Sequence, residues 1–363
     1  MSPTLRRRFL TVSTLVTAFL VGAVPASADA PGPTHYQSTV TGVETADGEP
    51  FDGVDFAIIG GDSYMVVDVP AGTVVEVPGY EGEPYIRIEA DGTVQVNERS
   101  PARWLNDERY GAEDTEVPAS ADADAPPTWV ESANNGQFAW HDHRIHFMSP
   151  SLPSQVDPSA DTDQDVFDWE VPLLVDGENV TVVGDLVWVP GDAPILPFAG
   201  LALAVALLGF VVWTKPGAST TVILAGAAVT GAVGAAMQWT LPDGSDAEPA
   251  VIVLPAMAVV ALVGGLVLLH RGDHRGGWLR DAAALPIGVW GLLQIGALTR
   301  PILPPPLPTG LARAVAALAL AVGVVMLVAL VRRVLRDTKL DSGTSAKRPG
   351  AGSSGSSTAP EGA

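Results

Sequence analysis

The second half of this 363-residue chain constrains its fold most. Five apolar stretches lie at about 193–213, 218–239, 251–269, 282–298 and 311–331. Each approaches the roughly 20 residues that carry a helix across about 30 Å of hydrocarbon. No water reaches the backbone there, so each segment must satisfy its own hydrogen bonds, and a helical membrane domain of five spans over 193–336 is the expectation.

The connections give the expected orientation. Lys215 lies between the first two stretches, Arg271, Arg275 and Arg280 between the third and fourth, and Arg332, Arg333, Arg336 and Lys339 follow the fifth. The alternate connections hold Arg300, with Arg313 just inside the last stretch, beside Asp243, Asp246 and Glu248. Basic residues mark the cytoplasmic side, so the C-terminus is expected inside and residues before the bundle outside the cell membrane.

A pump or ion-coupled carrier places ionisable groups inside the bilayer. These stretches carry Met237, Gln238, Met257, Gln294 and Met326, with no Asp, Glu or Lys at depth. Glycine-rich runs such as AGAAVTGAVGAA favour close helix approach, so the bundle reads as an anchor or as a platform that recruits another membrane protein. His270 and His274 fall in the basic loop HRGDHRGGWLRD, where lipid headgroup contact accounts for them. The Gly/Ser/Ala/Pro-rich end, 337–363, is expected to be a disordered cytoplasmic tail.

At the other end Arg6, Arg7 and Arg8 precede an apolar run from Phe9 to Val24 and the small residues Ala26-Ser27-Ala28. Residues 1–30 therefore read as a secretory signal peptide, with a partial twin-arginine pattern as the less economical alternative. Between signal and bundle, residues 31–192 hold 32 acidic residues against five arginines and no lysine. Such a surface repels nucleic acid. The chain has no cysteine, so this exported domain must be held by its own core.

That core is expected to be β. SYMVVDVP, TVVEVPG, PYIRIEADGTVQVN and VPLLVDGENVTVVGDLVWVP alternate or run in β-branched stretches, with turns at Gly60-Gly61-Asp62, Ala90-Asp91-Gly92 and Asp176-Gly177. An antiparallel sandwich of immunoglobulin-like layout over 31–192 follows. Residues 100–129 break the rhythm as a short helix or long surface connection. Gly61-Asp62-Ser63 lacks the strand-to-helix setting of a nucleophile elbow and reads as a turn. Asp161-Thr162-Asp163-Gln164-Asp165 starts like a calcium loop, but Val166 and Pro172 stand where that loop needs glycine and glutamate. No catalytic set emerges, and the chain is expected not to be an enzyme.

The stretch FAWHDHRIHFM, residues 138–148, gathers three of the six histidines. As a strand it would place His141 and His143 on one face and His146 with Met148 on the other. Imidazole suits copper, zinc or nickel, and a nitrogen–sulfur pair of His146 and Met148 suits copper(I); without a thiolate a blue-copper centre is excluded. The competing reading is structural: Asp142 pairs with Arg144 and bonds a histidine beside Trp140. Acid–base chemistry is a third.

GGDSYMVVDV, GYEGEPYIRI, SPARWLNDERYG, AWHDHRIHFM and VPLLVDG together resemble an uncharacterised family of secreted, membrane-anchored proteins of high-GC Gram-positive bacteria. Its marker reads W-H-D-H-R-x-H-W-M, and this chain keeps it with Phe147 for the second tryptophan. The resemblance attaches no activity. A broader likeness to periplasmic copper-resistance sandwiches is architectural, and His35, preceded by Pro31-Gly32-Pro33-Thr34, departs from a histidine that starts the mature chain. Two functions follow: a cell-surface protein that handles a transition metal, copper favoured, on His141, His143, His146 and Met148, or a non-catalytic envelope module whose motif is structural.

Overall fold

The computed structural model describes residues 31–107, 109, 110, 115, 117–191 and 193–345. The expected signal peptide, and 346–363 of the expected tail, lie outside these residues.

The first half is an antiparallel β-region of two sheets. The larger contains β1 (Tyr36–Thr45), β4 (Val75–Pro78), β5 (Pro84–Ile88), β6 (Val94–Asn97), β7 (Trp129–Ala133), β9 (Gln164–Val175) and β10 (Glu178–Trp188), in the order β1-β10-β9-β4-β5-β6-β7. The smaller contains β2 (Asp55–Ile59), β3 (Tyr64–Asp68) and β8 (Gln137–Trp140), with β3 in the middle. An immunoglobulin-like layout divides its strands four and three; here the division is seven and three. One short helix, α1 (Pro101–Leu105), interrupts the connection between β6 and β7.

Alternation drives this half. From Trp169 to the end of β9 and from Val180 through β10 every second residue is buried, among them Val171, Leu173, Val175, Val182 and Leu186. Their two-residue turn has positive φ at both Asp176 (51°) and Gly177 (82°), the twist a tight hairpin needs and the reason the Asp-Gly pair is there. Met65, Val67, Phe138 and Trp140 of the small sheet join Val75, Ile86, Ile88 and Val171 of the large one in a single apolar core.

The second half is helical: α2 (Ile195–Thr214), α3 (Ala218–Trp239), α4 (Ala250–His270), α5 (Arg275–Ala282), α6 (Leu285–Leu293), a 3-10 turn (Ile295–Leu298) and α7 (Thr309–Ser345). Four of these, α2, α3, α4 and α7 from Thr309 to Asp337, are long and apolar enough to cross a membrane. The expectation of five such helices is therefore corrected. The stretch 282–298 is broken, because the chain turns at Ala283-Ala284 and restarts with Pro286 in the first turn of α6, where a missing N–H costs nothing.

That broken segment still lies antiparallel against α7. Arg333 near one end of α7 donates to Asp281 (2.6 Å), and Arg313 near the other donates to the Ala297 carbonyl (3.1 Å). It also repairs a neighbour. Pro255 inside α4 cannot donate to the Val251 carbonyl four residues back, and the indole N–H of Trp290 fills that acceptor at 3.1 Å. At the far end α7 continues to Ser345, so the tail expected from residue 337 begins as helix.

The β-region stands directly on the loops of the bundle. Thr34 and Ile302 exchange backbone hydrogen bonds (2.9 and 3.2 Å), the Ala139 N–H donates to the Asp243 carbonyl (2.8 Å), and the Asp246 N–H donates to the Tyr64 hydroxyl (3.0 Å). Two of these three contacts involve the small sheet.

Candidate metal centre

β8 ends at Trp140, one residue before the histidines. The cause is Asp142. Its carboxylate accepts from the Arg144 backbone N–H (3.0 Å), and its carbonyl accepts from Ile145 (3.2 Å), an Asx-type turn that competes with the strand ladder. The strand alternation expected over 138–148, which separates His146 from His141 and His143, is therefore wrong. The turn folds the three imidazoles together: ring centroids lie 4.5 Å apart for His141 and His146, 5.4 Å for His141 and His143, and 5.5 Å for His143 and His146.

Asp142 is fully buried and serves as the scaffold. It accepts from the Trp140 indole (2.9 Å) and from the Arg144 Nε and Nη2 (2.8 and 2.6 Å). Burial alone would raise its pKa, but the hydrogen bonds and charge of Arg144, with the Trp140 N–H, hold it below the ordinary carboxylate range. The expected pairing of Asp142 with Arg144 is present, and Trp140 is a partner that expectation did not assign.

The histidines are oriented by carbonyls. His141 Nδ1 lies 2.6 Å from the Ser63 carbonyl, and His146 Nδ1 lies 3.3 Å from the Phe147 carbonyl. A carbonyl only accepts, so the proton of each ring sits on Nδ1 and the lone pair on Nε2. Both Nε2 atoms are buried without a hydrogen-bond partner. His143 is half-buried, its ring stacked on Tyr80 (5.7 Å, 16°), whose hydroxyl accepts from the His143 backbone N–H (2.9 Å). Tyr80 is itself held by Asn106 and lies under the Arg144 guanidinium.

Burial pushes the His141 pKa down to about 4, with Arg109 and His143 adding to the shift against the Ser63 bond. Burial, then His141 and Arg109, pushes His146 to about 2. Both rings are therefore neutral near pH 7, the form that ligates a metal. Arg109 is paired with buried Asp62, whose own pKa burial raises.

One ligand nitrogen from each of the three histidines lies within 4.8 Å of the other two. Imidazole–metal bonds of about 2.0–2.1 Å separate ligand nitrogens by roughly 3.3–3.6 Å, so ring rotations of modest size close the set around one ion. Among the described residues this is the one cluster of three or more histidine, cysteine or acidic side chains with that geometry. Met148, the expected sulfur partner of His146, is 38% exposed, whereas His146 is 1% exposed. His35 lies elsewhere, bonded to the Val189 carbonyl and stacked on Trp188. Asp161, Asp163 and Asp165 are exposed, and Gly61-Asp62-Ser63 is a turn.

Three contributors were not singled out from sequence: the Ser63 carbonyl, the Tyr80 ring and Arg109. Ser63 and Tyr80 are 78 and 63 residues from their histidine partners, and no local pattern marks them. The chain thus joins four helices long and apolar enough to cross a membrane to an antiparallel β-region whose three-histidine cluster, with two rings buried and one half-buried, could hold a metal ion. Its sequence matches no protein-family model, no curated protein and no solved structure.

Proposed function

We propose that this chain is a cell-surface, membrane-anchored protein that captures a transition-metal ion, copper favoured, on His141, His143 and His146. The observation that carries the reading is the pair of buried, unpartnered Nε2 lone pairs on His141 and His146. An unmade hydrogen bond on a buried polar atom costs about 1–3 kcal/mol. A purely structural histidine would be expected to satisfy both nitrogens, whereas a metal ligand must keep one free.

The donor set favours copper among divalent ions, because it is all nitrogen and affinity in such sites peaks at Cu²⁺. Zinc is the next candidate, with three protein ligands and one open position as in other three-histidine zinc sites. A cleft of about 380 Å³ is lined by Asp62, Arg109 and Ser63, the residue whose carbonyl orients His141. The role is binding and handling, not catalysis. The orientation follows the arginines and lysines: β-region outside, C-terminus inside the cell membrane, with the broken segment α5–α6 returning the chain between α4 and α7. Membership in the family marked by W-H-D-H-R-x-H-[WF]-M is part of the same proposal.

The test is metal content and titration of the full chain in detergent. Wild type should bind one copper ion per chain, and His143→Ala should weaken binding at least tenfold without unfolding the protein, since His143 is the least buried of the three. No binding of copper(I), copper(II) or zinc by the folded wild type would sink this reading and favour a structural motif.

A further inference from the structure

The basic end of the bundle differs in chemistry from the histidine cluster. Between α2 and α7 runs a groove of about 410 Å³. Its walls are apolar: Val205, Gly209 and Val212 from α2 face Val324, Val325 and Val328 from α7. α2 buries none of its residues, so protein does not fill the groove, and a side-chain carbon at Gly209 would find its nearest neighbour 4.0 Å away on Val325.

The groove's mouth is cationic. Arg332, Arg333 and Arg336 line it with Asp281 as the one acidic group. Asp281 is already committed to Arg280 and Arg333 (2.8 and 2.6 Å), and Asp337 accepts from the Trp278 indole. Among the described residues up to Asp337, no acidic side chain pairs with Arg332 or Arg336. Arg332 lies 3.6 Å over the Trp213 ring, which fixes its guanidinium in place by cation–π attraction. Arg336 follows one turn later on the same face of α7.

We propose that this groove binds one anionic phospholipid, its phosphate held by Arg332 and Arg336 and an acyl chain lying along the valines. A guanidinium pair matches phosphate geometry and charge. An amphipathic tryptophan marks the headgroup level. Basic pockets between membrane helices attract anionic headgroups on that side of the bilayer. The continuity of apolar wall and cationic mouth selects a lipid over a soluble phosphate, which would use the mouth alone. The site is independent of the histidines and of what they bind.

The experiment is native mass spectrometry of delipidated full chain titrated with phosphatidylglycerol or phosphatidylcholine. Wild type should retain one phosphatidylglycerol in preference to phosphatidylcholine by roughly tenfold to thirtyfold, the factor that two basic residues near an anionic headgroup supply. Arg332→Gln with Arg336→Gln should abolish the preference, while Arg271→Gln with Arg275→Gln, which removes equal charge at the same end, should keep it. Gly209→Leu, which fills the groove and leaves the arginines, should also lose the bound lipid. Equal retention of the two lipids, equal loss in the control pair, or full displacement by inorganic phosphate would each overturn the proposal; the last would mark a soluble-anion site.

Discussion

Changing His146 to Leu should make the metal-free protein more stable while removing its response to metal. His146 is 1% exposed, its Nε2 has no partner, and its Nδ1 makes one long hydrogen bond of 3.3 Å to the Phe147 carbonyl. That carbonyl keeps a second donor, the Ser149 N–H at 2.9 Å, so a leucine strands nothing. Relief of the unmade bond is worth about 1–3 kcal/mol, against about 0.5–1.5 kcal/mol for the bond given up. The net is a gain of about 1 kcal/mol, or about 1–2 °C at roughly 2.1 cal/mol/K of unfolding entropy per residue over 363 residues. Wild type at a hundredfold excess of metal over Kd should gain about 2.7 kcal/mol, and the variant nothing. Tryptophan-emission melts at one scan rate, with chelator and with copper or zinc, read both arms. If the leucine variant melts lower than metal-free wild type and no metal shifts wild type, His146 supports the fold and the lone-pair argument fails.

Other consequences are equally direct. Asp142→Ala leaves the Arg144 guanidinium and the buried Trp140 N–H unpaired and should cost about 3–5 kcal/mol; a loss under 1 kcal/mol in denaturant titration would contradict the scaffold role. In metal-free protein, His141 and His146 have folded pKa values of about 4 and about 2, below the unfolded value of about 6.5. The unfolded chain therefore binds more protons, so this stability is fully present above about pH 6.5 and is lost as pH falls through it, by up to about 1.4 kcal/mol per histidine per pH unit. Melts from pH 7 to 5 should fall, and fall less in the leucine variant; a flat profile would be the contrary result. The chain has no cysteine, so single cysteines report topology: Asp47→Cys and Ser159→Cys should react with an impermeant maleimide on intact cells, and His274→Cys after permeabilisation, the reverse pattern overturning the orientation. Gly244→Val should lower metal affinity at a distance, because Gly244 has φ +90° and an added carbon would meet the Ala139 carbonyl at 2.1 Å; unchanged affinity would show that the loop does not support the site.

The β-region was largely legible because its burial alternates with period two, and the Asp176-Gly177 turn carries its own conformational demand. The membrane helices were legible as apolar runs. Their breaks were not, since a stretch apolar on every side has no periodicity to lose, and the stop at Ala283-Ala284 shows only through Pro286. The histidine cluster was legible as composition and misread as geometry. A strand pattern shows Asp142 only as a pairing charge, whereas its carboxylate also caps its own backbone at the Arg144 N–H, which bends His143 and His146 back toward His141. Ser63, Tyr80 and Arg109 reach the site through tertiary packing that no spacing encodes.

The position of the cluster explains why the small sheet is built as it is. Ser63, which orients His141, immediately precedes β3, and its neighbour Tyr64 accepts from Asp246 of the loop between α3 and α4. Ala139, two residues before His141, is fully buried and gives its N–H to Asp243 of the same loop. The backbone on each side of the His141–Ser63 contact is therefore pinned by the bundle, and on the Ser63 side also by the large sheet, where the Ser38 N–H of β1 donates to the Gly61 carbonyl (2.8 Å). Removing the bundle would leave the Ala139 N–H without its acceptor, at a cost comparable to any buried unmet donor, and would loosen both arms that hold His141 in register. Ligand geometry at the site thus depends on contacts made at the membrane-facing end of the β-region, which ties the cluster to its anchor as one structural unit.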